Sequence, residues 1–250
     1  MTDTTHQKYH HLFIILAGIF ITNAIVAEII GAKIFSGEAF LNLPPAQIPL
    51  INHLKLDFNL SAGVVIWPVV FVISDIINEY FGKAGVKKIS IITAFLIAYT
   101  FLVIYFTTQL PPAAFWQEIN KVDIDGNPLN INNAFSAIFR QGMGIMLGSI
   151  TAFFIGQLLD AHTFQWIKSV TGSKKLWLRA TGSTLISQLV DSFVVLFIAF
   201  YLFGNWNLEQ IVSVGIINYI YKFIVAILLT PLLYIIHYII DSYLNPIKTN

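Results

Sequence analysis

Six apolar stretches, each about as long as a bilayer is thick, alternate with polar connections along this chain, and each predicts a membrane-spanning helix. They cover residues about 12–32, 60–81, 89–110, 136–159, 181–203 and 212–238. Long polar segments, about 33–59 and 111–135, follow the first and third stretches, with Pro44, Pro45 and Pro49 in the first of them. The expected fold is therefore all-α, a polytopic membrane protein built as one six-helix transmembrane bundle over residues 1–250.

Polar side chains inside these stretches fall on helical faces. In the second stretch Trp67, Phe71, Asp75, Asn78, Glu79 and Gly82 recur at spacings of three and four, so an aromatic stripe leads into two carboxylates. Pro68, one turn before this stripe's second ring, is expected to kink the helix above Asp75. In the fifth stretch Thr184, Ser187, Gln188 and Asp191 share a face. In the sixth, Gly215, Asn218, Tyr219 and Lys222 do the same. A charge at a helix centre costs about 2.5 to 3.5 kcal/mol on insertion scales. Asp75, Glu79, Asp191 and Lys222 together need partners, a watery cavity or a ligand. Lys222 is expected to pair with Asp191 or Asp75 until a substrate displaces that pair. The plainer reading is that buried ion pairs and interhelical polar contacts only join helices. Two carboxylates on one face exceed what one lysine neutralises, and Glu79 also lies close enough to the span's end to reach the inner interface.

Composition agrees and excludes several classes. The chain is 56% hydrophobic and 11% charged, with a mean hydropathy of +0.74. A formal charge of +1 leaves no basic footprint for nucleic acid. Zero cysteines exclude disulfides, thiolate metal sites and cysteine nucleophiles. There is no HExxH and no GxSG, and the histidines lack ligand spacing, so neither catalysis nor a cofactor is expected. DIDGNPLN at 123–130 lacks the glutamate that closes a calcium loop and reads as turns. The stretch at 12–31 follows a leader holding Lys8 and three histidines, and is read as a retained span. Lys8, Lys83, Lys87, Lys88, Lys168, Lys174, Lys175, Arg179 and Lys248 fall on one side of the membrane, against Lys33, Lys55 and Lys121 on the other. Both termini should then face the cytoplasm. Gly144, Gly148, Ala152 and Gly156 make a small-residue packing seam, and Arg140 is expected to snorkel to the outer interface.

SDIINEYFG (74–82), GQLLDAHTF (156–164), LRATGSTLISQLVDSFVVLFIAF (178–200) and NYIYKF (218–223) resemble the queuosine precursor transporter family. That family belongs to a wider vitamin-uptake-like group of six-span proteins, similar in architecture to the substrate-binding components of energy-coupling-factor transporters. The resemblance runs from residue 12 to about 240. It implies uptake of 7-deazaguanine bases (7-cyano, 7-aminomethyl or queuine) through the bacterial inner membrane for tRNA modification. Carried over by position, it implies a site that uses Asp75, Asp191, Lys222 and Gln157, with Glu79 beside them. A guanine-like edge suits these residues. Asp75 or Asp191 could accept its paired donors, Lys222 or Gln188 could serve its carbonyl, and Trp67, Phe71 or Tyr219 could stack on its face. The expected partners are a small nucleobase and the lipid bilayer. A second copy or a coupling subunit with its own ATPase stays open, as does a structural membrane protein held by buried ion pairs.

Overall fold

The computed structural model describes residues 3–31, 33–49, 55–141, 143–172, 175–202 and 206–244, and these are overwhelmingly helical. The longer helices are α1 (Asp3–Ile30), α3 (Trp67–Gln109), α5 (Ile131–Gln141), α6 (Met143–Thr171), α7 (Leu176–Leu196) and α8 (Leu208–Leu244). Two short helices, α2 (Gly37–Phe40) and α4 (Ala114–Ile119), lie in the connections. A π-helical segment, Phe197–Leu202, prolongs α7. Lys174 and Lys248, counted in the charge asymmetry, lie outside the described residues.

Three helical segments are long and apolar enough to cross a membrane: His6–Ile30, Trp67–Gln109 and Leu208–Leu244. Their sides show why. In α1 the buried positions Leu12, Leu16, Phe20 and Ala24 recur every fourth residue, while Ile14, Ile15 and Ile19 on other faces are exposed yet equally apolar. A helix apolar all round belongs in lipid.

The 43 residues of α3 would span about 64 Å if straight, roughly twice a hydrocarbon core. The helix does not run straight. Gly82 takes φ 65° and ψ −171°, a conformation open in practice only to glycine. Beyond it, a Cβ on Gly85 would stand 3.3 Å from Ile77 Cγ2 and 2.6 Å from Phe81 Cβ. Residues eight apart in a continuous helix sit about 12 Å apart, so the second limb folds back toward the first. Lys83, Lys87 and Lys88, expected in a connection, are helical residues of that second limb.

Other boundaries differ from the sequence expectation for local reasons. The stretch from residue 60 begins as strand and 3-10 turn, and Pro68 stands in the first turn of α3 rather than inside it. There its missing N–H leaves no bond unmade, so it starts a helix instead of kinking one. The fourth apolar stretch is divided between α5 and α6, and α6 runs on to Thr171. Arg140, expected to snorkel, is exposed and also makes a defined contact. Its Nε donates to Thr108 Oγ1 at 2.7 Å and its Nη2 to the Thr108 carbonyl at 3.0 Å, which ties α5 to the end of α3.

The 33–61 connection is folded. Strand β1 (Ile34–Ser36) pairs antiparallel with β4 (Asn59–Ser61), and β2 (Ile48–Pro49) with β3 (Lys55–Leu56). Buried Glu38 ties it together, accepting the Phe58 N–H at 2.6 Å and the Ser36 hydroxyl at 3.0 Å. DIDGNPLN forms a turn in which Asp123 Oδ1 accepts the N–H groups of Asp125 and Asn127. In the bundle, α3 packs on α1 and α6, α6 on α7, and α7 on α8, while α8 also touches α3. The common core takes Ile73, Ile76 and Ile77 from the first limb of α3, Val86 and Ile89 from the second, and Phe164, Ala180 and Leu233 from α6, α7 and α8.

Two outcomes follow. Gly82→Ala should lower stability by about 1–3 kcal/mol through backbone strain alone, since a Cβ there meets nothing closer than Gln165 Nε2 at 4.0 Å; thermal unfolding in detergent measures it. The Phe58 N–H, first of all, holds the Glu38 carboxyl below its ordinary 4.5. A depressed carboxyl stabilises above its unfolded value and loses that contribution as pH falls through the folded one. A nitroxide at exposed Leu41 should therefore gain mobility below about pH 4.5, with no change across the neutral range.

Candidate functional site

Residues 74–80 of α3 form a polar edge, and most of it is occupied by other helices. Ser74 donates to Gln157 Oε1 of α6 at 2.8 Å. Asn78 donates to the Ala161 carbonyl at 3.4 Å and accepts from Gln165 Nε2 at 2.7 Å. Tyr80 donates to Asp241 of α8 at 2.8 Å. Glu79 holds two cations, Arg179 Nη2 at 2.7 Å and Lys168 Nζ at 3.2 Å. Arg179, 1% exposed, also donates to the Gly172 carbonyl at 2.7 Å and lies over the Phe164 ring.

The break at Gly82 accounts for part of this. At the end of a helical limb, carbonyls of the last turn are open to donors from outside the helix. Gln165 Nε2 serves the Asn78 carbonyl at 2.9 Å and Lys168 Nζ the Glu79 carbonyl at 3.2 Å, both from α6. Asn78, Gln157 and Glu79, candidates for ligand contact, are thus placed in helix-to-helix contacts.

The second charged group joins α7 to α8. Lys222 Nζ lies 2.6 Å from Asp191 Oδ2, the first of the two partners expected for it. Gly156, at the end of the small-residue seam, allows the approach: a Cβ there would stand 3.5 Å from Asp191 Cβ. One turn inward on α7, Ser187 donates to buried Asp160 at 3.3 Å.

Between α3, α7 and α8 lies a cavity with about 560 Å³ of empty space, counting what is open at its mouth. Its polar lining is Asp75, Gln188, Lys222, Tyr221, Thr181 and Thr230, on otherwise apolar walls. At one end Trp67 and Phe71 stand with ring centroids 5.8 Å apart and planes 29° from parallel. Gln188 is 1% exposed, and neither its amide nitrogen nor its oxygen has a partner among the described residues. A buried amide left this way costs about 1–3 kcal/mol.

Of the sequence candidates, Trp67, Phe71, Asp75, Gln188 and Lys222 line this cavity, and Asp191 reaches it through Lys222. Asn218 and Tyr219 are not among the lining residues; Tyr221 is. On α8 the cavity face runs inward from Lys222 through Val225, Ala226, Leu229 and Thr230 to Leu233, at helical spacings of three and four. The polar pattern extends outward from Lys222 to Asn218 and so pointed the other way. Thr181 stands seven residues before Gln188 on the same face of α7, a spacing that could have found it.

Because Arg179 is buried, removing one partner strands the other charge. Glu79→Leu and Arg179→Met should each cost about 3–5 kcal/mol, with the double replacement recovering most of it. Unfolding midpoints of the three variants in detergent test this, and any loss of transport should follow the loss of folded protein.

The family described as "Putative vitamin uptake transporter" matches residues 61–236. A Bacillus subtilis (strain 168) protein named "Probable queuosine precursor transporter" is 30% identical over 192 residues, 76% of this chain and 77% of that protein. A Haemophilus influenzae protein of the same name is 24% identical over 196 residues, 73% of this chain and 74% of that one. The "Queuosine precursor transporter" of Escherichia coli (strain K12) is 26% identical over 176 residues, 69% of this chain and 70% of that one. No solved structure matches the chain.

Proposed function

The chain belongs to the vitamin uptake transporter family, and from that membership we propose that it imports queuosine precursors, 7-deazaguanine bases, across the bacterial inner membrane. The observation that carries the reading is Gln188, a buried amide without a partner among the described residues that lines a cavity with Asp75 and Lys222. A guanine-like base meets that set group by group. Its N1–H and 2-amino donors suit the Asp75 carboxylate, and its carbonyl accepts from Gln188 or Lys222. Its flat face suits the Trp67 and Phe71 rings, a contact of about 1–3 kcal/mol per base.

The transmembrane reading is six spans. The reversal at Gly82 divides α3 into two limbs, which make six with α1, α6, α7 and α8. Lys8 Nζ donates to the Tyr243 carbonyl at 2.8 Å, so the start of α1 and the end of α8 meet on one side. The lysine and arginine asymmetry supports a cytoplasmic location for that side. Transport then moves the base past the polar contacts of residues 78–80, which join α3 to α6, α7 and α8.

The test is the queuosine content of tRNA in bacterial cells that lack both precursor synthesis and their own importer, at limiting supplied base. The wild-type chain should restore modification, and Gln188→Leu or Lys222→Ala at equal membrane expression should lower initial uptake at least about tenfold, as expected when a buried polar contact to a ligand is lost. No restoration by well-inserted protein with any of the three bases would overturn the reading.

A further inference from the structure

Between Lys88 and Glu118 the chain carries no charged residue. Residues 89–109 of α3 rise about 32 Å as helix, one hydrocarbon thickness, so Gln109 stands at a bilayer edge. Along this limb Phe95, Tyr99, Leu102 and Phe106 are exposed at spacings of four, three and four, a stripe that faces lipid. Exposed Leu110 continues it.

The two helices that follow are amphipathic. In α4 Phe115, Trp116 and Ile119 share one side, and Gln117 and Glu118 the other. In α5 Ile131, Phe135 and Ile138 share one side, and Asn133, Ser136 and Arg140 the other. Phe115 and Ile119 are 71% exposed and Ile138 66%. Trp116 meets the Phe135 ring edge-on at 6.4 Å between centroids, and Phe135 lies against Phe139, which joins α4 to α5. Both are pinned to the end of α3. Arg140 binds the hydroxyl and carbonyl of Thr108, and residues 110–113, with Pro111 and Pro112, are all that separate α3 from α4. The 11 residues of α5 rise about 16 Å, half of what spanning requires. An amphipathic helix too short to span and held at a bilayer edge suits the interface, its apolar side among the outermost acyl chains.

We propose that α4 and α5 form an interfacial platform seated on the leaflet in which α3 ends, with Phe115, Ile119 and Ile138 in lipid and Gln117 and Glu118 toward water. The platform is independent of what the cavity binds. Lipid is favoured over a second copy of the chain because the apolar side prolongs the lipid-facing stripe of α3 with no charge between them. Attraction to anionic headgroups is not what seats it. Glu118 and Lys121 neutralise each other at 2.6 Å, and the next two charges, Asp123 and Asp125, are acidic. Apolar burial alone then holds the platform, and zwitterionic lipid suffices.

The chain has no cysteine, so a nitroxide can be attached at one chosen position. Full-length Ile119→Cys and Glu118→Cys chains, spin-labelled and reconstituted in phosphatidylcholine vesicles, test the proposal by collision with oxygen, which concentrates among acyl chains, and with a water-soluble nickel chelate. Oxygen should relax the label more than nickel at position 119, and the order should reverse at 118, its neighbour on the other side of α4. Nickel dominating at both positions puts this face in water and overturns the platform. Weak relaxation by both agents at 119 means that protein covers the face, a second copy included, and overturns it equally. Ile138→Cys gives the same reading from α5 where the Ile119 variant fails to insert.

Discussion

The architecture depends on one constraint: inside an apolar bundle every charge must be held by another. Glu79 meets it with Arg179 and Lys168, and Asp191 meets it with Lys222. Such pairs add little net stability over well-packed apolar side chains, yet they are costly to break singly. Their structural consequence is register. Ser74, Asn78, Glu79 and Tyr80 contact α6, α7 and α8 within two helical turns, so the first limb of α3 has one axial position and one rotation. That rotation turns Trp67, Phe71 and Asp75 toward α7 and α8.

The glycine at 82 is part of the same device. A continuous helix would keep its carbonyls for itself. Next to the break, the carbonyls of Asn78 and Glu79 accept from Gln165 and Lys168. The polar edge thus divides by depth. Toward the Gly82 end its hydrogen-bonding capacity is largely spent on neighbouring helices, and toward the aromatic end it borders open space. Gln188 shows the contrast most sharply, because a buried amide that served packing would have found a partner.

Much of this was legible in the sequence, and the remainder was hidden for physical reasons. The 3-4 spacing of Trp67, Phe71 and Asp75 identified the cavity wall, because a helical face is a property of spacing alone. The Lys222 partner was narrowed to two carboxylates and proved to be Asp191. The Glu79–Arg179 pair was not anticipated because Arg179 had been counted as a cytoplasmic loop charge. Orientation statistics treat such residues as solvated, whereas α7 begins at Leu176 and carries Arg179 into the core. The connection expected between about 81 and 89 contracts to a turn at Gly82, because a single residue with positive φ can reverse a helix without any loop composition. The folded 33–61 connection escaped for a similar reason. Its order draws on the Glu38 carboxylate, whose partners include a backbone N–H 20 residues away.

Lys222 belongs to both the ion pair and the cavity, and sequence reasoning expected a ligand to displace Asp191 from it. The geometry argues for coexistence. An ammonium has three donors, and the 2.6 Å contact with Asp191 occupies one of them. Separating the pair would leave a carboxylate that is only 21% exposed without its cation. A ligand carbonyl can instead take a second donor while the first stays bound. Asp191 then acts as a positioning residue that fixes the ammonium at the cavity wall, and the binding energy of the ligand is not consumed in opening the α7–α8 contact.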